Sequence, residues 1–392
     1  MVSHKSHFRF TKLAAIILRP LDPILSLLLA CLLAYAIIIM MSASPARVFP
    51  SLDYPPNSII SAQLVQILLA LGLMWIVANI PAQRLLSLAP TLYIAGVTLL
   101  VLVLQFGVVA KGAQRWLEVG GARFQPSELM KIAMPLALAW FFQKREGAIG
   151  WKEFLLSAFL LGVPVALIAK QPDLGTALLV AAAGIYVIFF AGLSWKLIVP
   201  VAVIGVVGIV VFAIFGDQSC QPGVQWPFLK EYQRDRVCTL LDPTRDPLGK
   251  GFHIIQSTIA IGSGGLTGRG WMLGTQTHGG FLPERHTDFI FAVLAEELGL
   301  AGVLVLLALY LAILMRGLFI TAAAPSLGAK LLAGSMTMIL FTYLFVNIGM
   351  VSGILPVVGV PLPFISYGGT ALITLCVGIG ILMSVRRSGR EH

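Results

Sequence analysis

The chain has 392 residues, 58% hydrophobic and only 11% charged, with a mean hydropathy of +0.92 and a formal net charge of +10. That balance excludes a water-soluble globule, in which about a quarter of the residues are charged, and the sequence lacks the roughly ten-residue alternating segments of a β-barrel. Cationic loops that orient a membrane protein account for the positive charge; no basic–aromatic interleaving points to nucleic acid.

The apolar residues fall in runs of roughly 17–23, long enough to cross about 30 Å of hydrocarbon as helix. An all-α, polytopic integral membrane protein is therefore predicted, with 1–392 as a single membrane domain. At the start, Lys5, Arg9, Lys12 and Arg19 precede an apolar run and the small residues "SASPA", in imitation of a signal peptide. The run over 23–42 is too long for that and further spans follow, so it reads as an uncleaved first helix. Further spans are expected near 60–80, 86–107, 127–143, 154–170, 175–192, 196–216, 298–316, 330–352 and 366–385, about ten in all. An even count puts both termini on one side. Arg84, Lys144, Arg145, Lys152, Lys196, Arg316, Lys330, Arg386 and Arg387 fall on that side, which the charge bias makes cytoplasmic.

In "QPSELMK", Glu128 and Lys131 stand one helical turn apart at the entry to the fourth span. On a surface this is an ordinary pair; within a membrane, charges are costly unless paired or facing water. "KQPDLGT" sets Lys170 and Asp173 in a turn, where Pro172 and Gly175 follow from turn chemistry and Asp173 does not. A large loop, 217–297, is expected on the outer face, and long ordered loops are usually functional. It holds Cys220 and Cys238, expected to form a disulfide that closes a loop of about 18 residues, worth roughly 3 kcal/mol in the chain-entropy model. It also holds "GSGGLTGRGW", which reads as a flexible turn, with a phosphate-binding nest as the alternative.

"RHTDFIFAVLAEELG", 285–299, concentrates charge ahead of an apolar run. Residues 298–316, roughly 28 Å of helix, make the span, and 288–297 a short helix at the outer interface. On spacing alone, Asp288 reads equally well as a helix-start residue paired with Arg285, and Glu296 and Glu297 as markers of the water boundary. The last outer loop, "GILPVVGVPLPFISYGG", is apolar with three prolines. It is either a stiff connector or the wall of an outward-open pocket, since irregular backbone at membrane depth must be buried in protein or line a cavity.

Together, "KGAQRWLEVGGARFQPSELMK", "KQPDLGTA", "LDPTRDPLGKGFHIIQS", "IAIGSGGLTGRGW", "FLPERHTDFIFAVLAEELG" and "NIGMVSGILPVVGVPLPFISYGG" resemble the RodA branch of the SEDS family, which includes the division protein FtsW. The matches run in order over about 111–369. The segment "DQSCQPGVQWPFLKEYQRDRVC" is longer than the family pattern suggests, which bears on the shape of that loop. The resemblance implies a ten-helix fold and a peptidoglycan glycosyltransferase that polymerises lipid II on the outer face of the inner membrane. It implies as partners a class B penicillin-binding protein, which crosslinks the strands, and other elongation-complex membrane proteins. The family's essential aspartate corresponds to Asp288, its Glu and Lys of the fourth helix to Glu128 and Lys131, and its "QPDLGT" turn to Asp173.

The chemistry suits these residues. Lipid II carries an α-linked pyrophosphate and the product is β-1,4-linked, so one inverting displacement suffices. It needs one base, for which Asp288 is the candidate, and no general acid, because pyrophosphate leaves unprotonated; most glycosidases need two carboxylates. The anionic leaving group calls for cations. Candidates are Lys111, Arg115, Lys131, Arg234, Arg285 and the glycine loop. A divalent cation, Mg or Mn, could share this role, but no three-carboxylate cluster is legible and no metal is assigned. The rival readings are a flippase or transporter of lipid-linked precursor and a structural scaffold.

Overall fold

In the computed structural model the described residues are 20–44, 58–110, 113–119, 122–145, 150–192, 250–282 and 284–390, with Val199, Val203, Val207, Cys220, Arg234, Cys238, Thr239 and Asp242 singly. The span expected near 196–216 and most of the large loop before residue 250 lie outside them. Cys220 and Cys238 are joined by a disulfide, as expected.

The described elements are α1 (Pro23–Ala43), α2 (Ser58–Asn79), α3 (Ala82–Ser87), α4 (Ala89–Phe106), β1 (Val108–Ala110), β2 (Ala113–Val119), β3 (Ala122–Phe124), α5 (Pro126–Lys144), α6 (Trp151–Lys170), α7 (Leu174–Phe190), α8 (Lys250–Gly264), α9 (Thr275–His278), α10 (Ile290–Ala322), α11 (Leu327–Val351) and α12 (Gly369–Ser388). Seven helices among the described residues, α1, α2, α4, α6, α10, α11 and α12, are long and apolar enough to cross a membrane. Local chemistry sets their starts. Asp22 caps α1 by accepting from Leu25 N at 2.7 Å, and Ser326 caps α11. The helix expected over 86–107 is two, α3 and α4, separated at Leu88. Pro90 lacks an N–H and fits only the first turn of a new helix.

Helix α11 is the central post. Of its apolar window 78% is buried, against 22–39% for α1, α2, α4, α6 and α10. At one end of the bundle the buried Asp22 carboxylate accepts from Arg316 of α10 at 2.7 Å and contacts Arg386 of α12. This cluster ties three helices around one desolvated charge. At the opposite end, Tyr35 of α1 donates to Gly302 O and Arg285 donates to Ala43 O.

Helix α10 breaks at Gly299 (φ 62°, ψ −162°), one residue into the span expected over 298–316, and continues to Ala322 rather than stopping near Arg316. A break frees backbone groups that must find partners away from water. The glycine-rich stretch supplies them. Arg269 N and Gly270 N donate to Glu296 O and Glu297 O, while Leu300 N and Ala301 N donate to Gly265 O and Leu266 O. A Cβ on Gly268 would lie 2.1 Å from Glu297 O, so only glycine lets the backbones approach. "GSGGLTGRGW" is thus no free turn: two of its N–H groups and two of its carbonyls clasp a broken helix.

Glu296 and Glu297 do not mark a water boundary; both are fully buried. Glu296 accepts from the hydroxyls of Thr275 and Thr277 and from Gln276 N and Thr277 N, closing the start of α9. Glu297 accepts from Ser42 Oγ at 2.5 Å and meets His278 Nε2 at 3.2 Å. Donors from α9 and α1 make burial of these carboxylates tolerable.

Candidate functional site

The site gathers at the Gly299 end of the bundle, around one face of α11. Tyr343 and Asn347 are four residues apart and therefore stacked on the same face. The Tyr343 hydroxyl accepts from Lys131 Nζ at 2.6 Å. Lys131 also donates to Glu128 Oε1 at 2.6 Å, and Thr374 of α12 donates to Glu128 Oε2 at 3.0 Å. Glu128 and Lys131 are only 8% and 4% exposed. Their helical spacing forms the pair, and Pro126 at the start of α5 places Glu128 in the first turn, where the dipole favours it. Spacing alone could not reveal Tyr343 and Thr374, which arrive from helices more than 200 residues away.

One turn along α11, Asn347 Nδ2 donates to Asp288 O at 2.9 Å and to Val360 O at 2.8 Å. Asp288 is not the cap of α10: Phe289 holds that position without a side-chain capping bond, and helical geometry begins at Ile290. The Asp288 carboxylate is turned towards the 352–368 loop, where a Cβ on Gly359 would lie 3.4 Å from its Oδ2. Val360, Leu362, Phe364, Ile365 and Ser366 are buried, and Tyr310 OH donates to Pro363 O. Over 360–366 the irregular backbone is packed within protein, and the loop forms a wall beside Asp288.

The same loop reaches the Asp173 turn: a Cβ on Gly175 would meet Val358 O at 2.8 Å. Asp173 caps α7 through Thr176 N, accepts from Gln125 Nε2 at 2.8 Å and lies 3.6 Å from Arg115. Arg115 sits on β2 of an antiparallel sheet ordered β1-β2-β3. Our sequence reading missed this sheet, although Gly120-Gly121 between alternating residues is a hairpin signal. Arg115 Nε is buried and has no partner among the described residues.

Structure thus brings Asp288, Glu128, Lys131, Asp173 and Arg115 around one helix face and one loop. Arg285 is 6% exposed, and its Nε is engaged on Ala43 O; burial lowers its pKa from the ordinary guanidinium range. Lys111 lies outside the described residues, as does the chain on either side of Arg234. Among the described residues no three His, Cys, Asp or Glu side chains are grouped to hold a metal ion.

Two further features escaped the sequence reading. Helix α8 lies inside the large loop, with Ile254, Ser257 and Ala260 buried at helical spacing. Its His253 ring stacks on Phe289 at 5.6 Å, next to Asp288; burial lowers the His253 pKa from 6.5, opposed by the charge of Glu284. A cavity of about 330 Å³ runs between α2, α4, α5 and α12. Val77, Leu92, Ile132 and Val377 are among its apolar walls, and Glu128 and Thr374 mark its polar edge.

Comparison with known proteins agrees with this architecture. The pattern of the FtsW/RodA/SpoVE family, described as cell cycle proteins, matches residues 23–391. The chain is 50% identical to the peptidoglycan glycosyltransferase MrdB of Escherichia coli strain K12 over 366 residues, 93% of each protein. It is 38% identical to the stage V sporulation protein E of Bacillus subtilis, over 74% of this chain and 76% of that one. Among solved structures, it superposes on a chain of a peptidoglycan synthase complex with a TM-score of 0.74 at 36% identity, covering 95% and 99% of the two chains. It superposes on the rod shape determining protein RodA of Thermus thermophilus with a TM-score of 0.66 at 31% identity, covering 93% and 96%. With the match extending over nearly its whole length, this multi-span membrane protein belongs to the FtsW/RodA/SpoVE family, the SEDS proteins whose motifs it carries.

Proposed function

We propose that Asp288 is the general base with which this chain, a peptidoglycan glycosyltransferase, polymerises lipid II into β-1,4 glycan strands. One observation carries the reading: successive turns of α11 hold the Asp288 segment and the buried Glu128–Lys131 pair, joining a carboxylate that faces a loop wall to a charged pair at an apolar groove. The acceptor's sugar hydroxyl gives its proton to Asp288, its oxygen attacks the anomeric carbon of the donor from the face opposite the pyrophosphate, and undecaprenyl pyrophosphate departs with inversion. Arg115, whose Nε has no partner among the described residues, and Lys131 face the departing charge. The groove beside Glu128 accommodates part of the lipid's polyprenyl chain, its apolar walls matching hydrocarbon.

In this reading the site opens to the periplasm, the termini are cytoplasmic, and a class B penicillin-binding protein crosslinks the product. The Cys220–Cys238 disulfide accords with a loop on the oxidising side. The test is polymerisation of lipid II in detergent by purified, partner-bound Asp288→Asn protein. Flipping has no meaning there, so a flippase makes no polymer. Loss of a general base costs about 10²–10⁴-fold in rate; activity within a few-fold of the parent would remove Asp288 from the base role.

A further inference from the structure

The three residues that end at Asp288 have a peculiarity in their backbone. His286 O accepts from Tyr367 N at 2.8 Å, Thr287 O from Ser366 Oγ at 2.6 Å, and Asp288 O from Asn347 Nδ2 at 2.9 Å. Three successive carbonyls, just ahead of a helix and not within one, are each held by a donor some 60–80 residues further along the chain. On the other side, Thr287 N and Phe289 N both donate to Glu284 O. A loop carbonyl is ordinarily left to water; here none of the three is.

Two side chains make this clasp, and each does so in a way that links Asp288 to the wall it faces. Asn347 is fully buried. Both protons of its amide are spent, one on Asp288 O and one on Val360 O, next to Gly359. Its Oδ1 has no partner among the described residues. Flipping the amide would set that oxygen against two carbonyls, so the orientation is determined by the network. Ser366 is 4% exposed; its hydroxyl donates to Thr287 O and accepts from Leu362 N at 2.8 Å. Each residue therefore touches both edges of the site, the segment that carries the carboxylate and the loop that faces it.

We propose that Asn347 and Ser366 are positioning residues: they set the distance between the Asp288 carboxylate and the 359–362 wall, and so the attack geometry of the acceptor hydroxyl. This rests on Asp288 being the base. A base must be held to within about 0.5 Å of its working position, and a misplacement of about 1 Å can cost 10²-fold in rate. Asp288 itself lies outside the regular helix, so its backbone has no helical ladder to hold it.

The experiment uses full-length protein bound to its transpeptidase partner, assayed with lipid II well below each variant's unfolding midpoint. Asn347→Ala and Ser366→Ala are expected to lower kcat about tenfold or more with KM within about threefold, the signature of an interaction needed in the transition state. Ser366→Thr, which keeps the hydroxyl, returns kcat to within about threefold. Asn347→Asp, which sets a carboxylate against two carbonyls, does no better than Asn347→Ala. Adding Asn347→Ala or Ser366→Ala to Asp288→Asn gives no further loss, because each acts through the same carboxylate. Full kcat in both alanine variants overturns the proposal, as does a loss that multiplies with that of Asp288→Asn. If one alanine variant does not fold, the other and the Ser366→Thr rescue still decide. An active Asp288→Asn protein would remove the base assignment, and the proposal with it. An inactive Asp288→Asn alongside fully active alanine variants would remove the proposal alone.

Discussion

Deleting the ammonium of Lys131 should cost far more than deleting a comparable surface charge. In Lys131→Met the stem is replaced by apolar atoms of similar length. Glu128, 8% exposed, then keeps a carboxylate with Thr374 as its remaining side-chain donor. Breaking a buried pair in this way costs about 3–5 kcal/mol, because the surviving charge is desolvated and uncompensated. The chain offers an internal control. Arg145 and Glu153 approach just as closely, at 2.7 Å, but the Arg145 side chain is 48% exposed. Arg145→Met should cost about 0–1 kcal/mol. Replacing both members, Glu128→Gln with Lys131→Met, should recover most of the lost stability, since no buried charge remains. It should not recover polymerisation, which is expected to stay down about 10²-fold or more. Thermal unfolding in detergent and lipid II polymerisation, measured on the same preparations, separate the two effects. A Lys131→Met protein that matches Arg145→Met in midpoint and rate would refute the reasoning.

Gly268→Ala, with φ +80° and a Cβ 2.1 Å from Glu297 O, should destabilise the clasp by several kcal/mol, whereas Gly265→Ala, with φ +56° and nothing within 4 Å, should cost only about 1 kcal/mol; unfolding midpoints of the two variants check this. Glu296→Ala orphans four donors at the start of α9 and should cost about 3 kcal/mol or more, at about 1–3 kcal/mol per buried unsatisfied group; Glu296→Gln, which keeps one acceptor oxygen, should cost less in the same assay. Burial lowers the His253 pKa from 6.5, so between that lowered value and 6.5 the unfolded chain binds a proton that the folded protein refuses. Its contribution is intact above 6.5 and is lost as the pH falls. The midpoint should therefore drop more steeply on acidification in the parent than in His253→Gln, and parallel curves would contradict this.

What the sequence by itself determined is local in origin. Apolar runs long enough to cross a bilayer located α1, α2, α4, α6, α10, α11 and α12, because hydropathy and rise per residue are properties of a single segment. The Glu128–Lys131 pair was legible for the same reason, since helical periodicity brings i and i+3 together whatever surrounds them. The choice of Asp288 as candidate base came from resemblance, not from spacing, which served equally well for a helix cap. Only the tertiary structure decided that Asp288 lies outside the helix and faces Gly359. It also decided that Glu296 and Glu297 are buried and that "GSGGLTGRGW" repairs the break at Gly299. Each of these depends on a partner far away in the chain: Asn347 for the Asp288 carbonyl, Thr275–Thr277 for Glu296, Gly265–Gly270 for the broken helix. A buried polar group takes whichever partner packing delivers, and packing brings together segments whose separation along the chain carries no periodic signal.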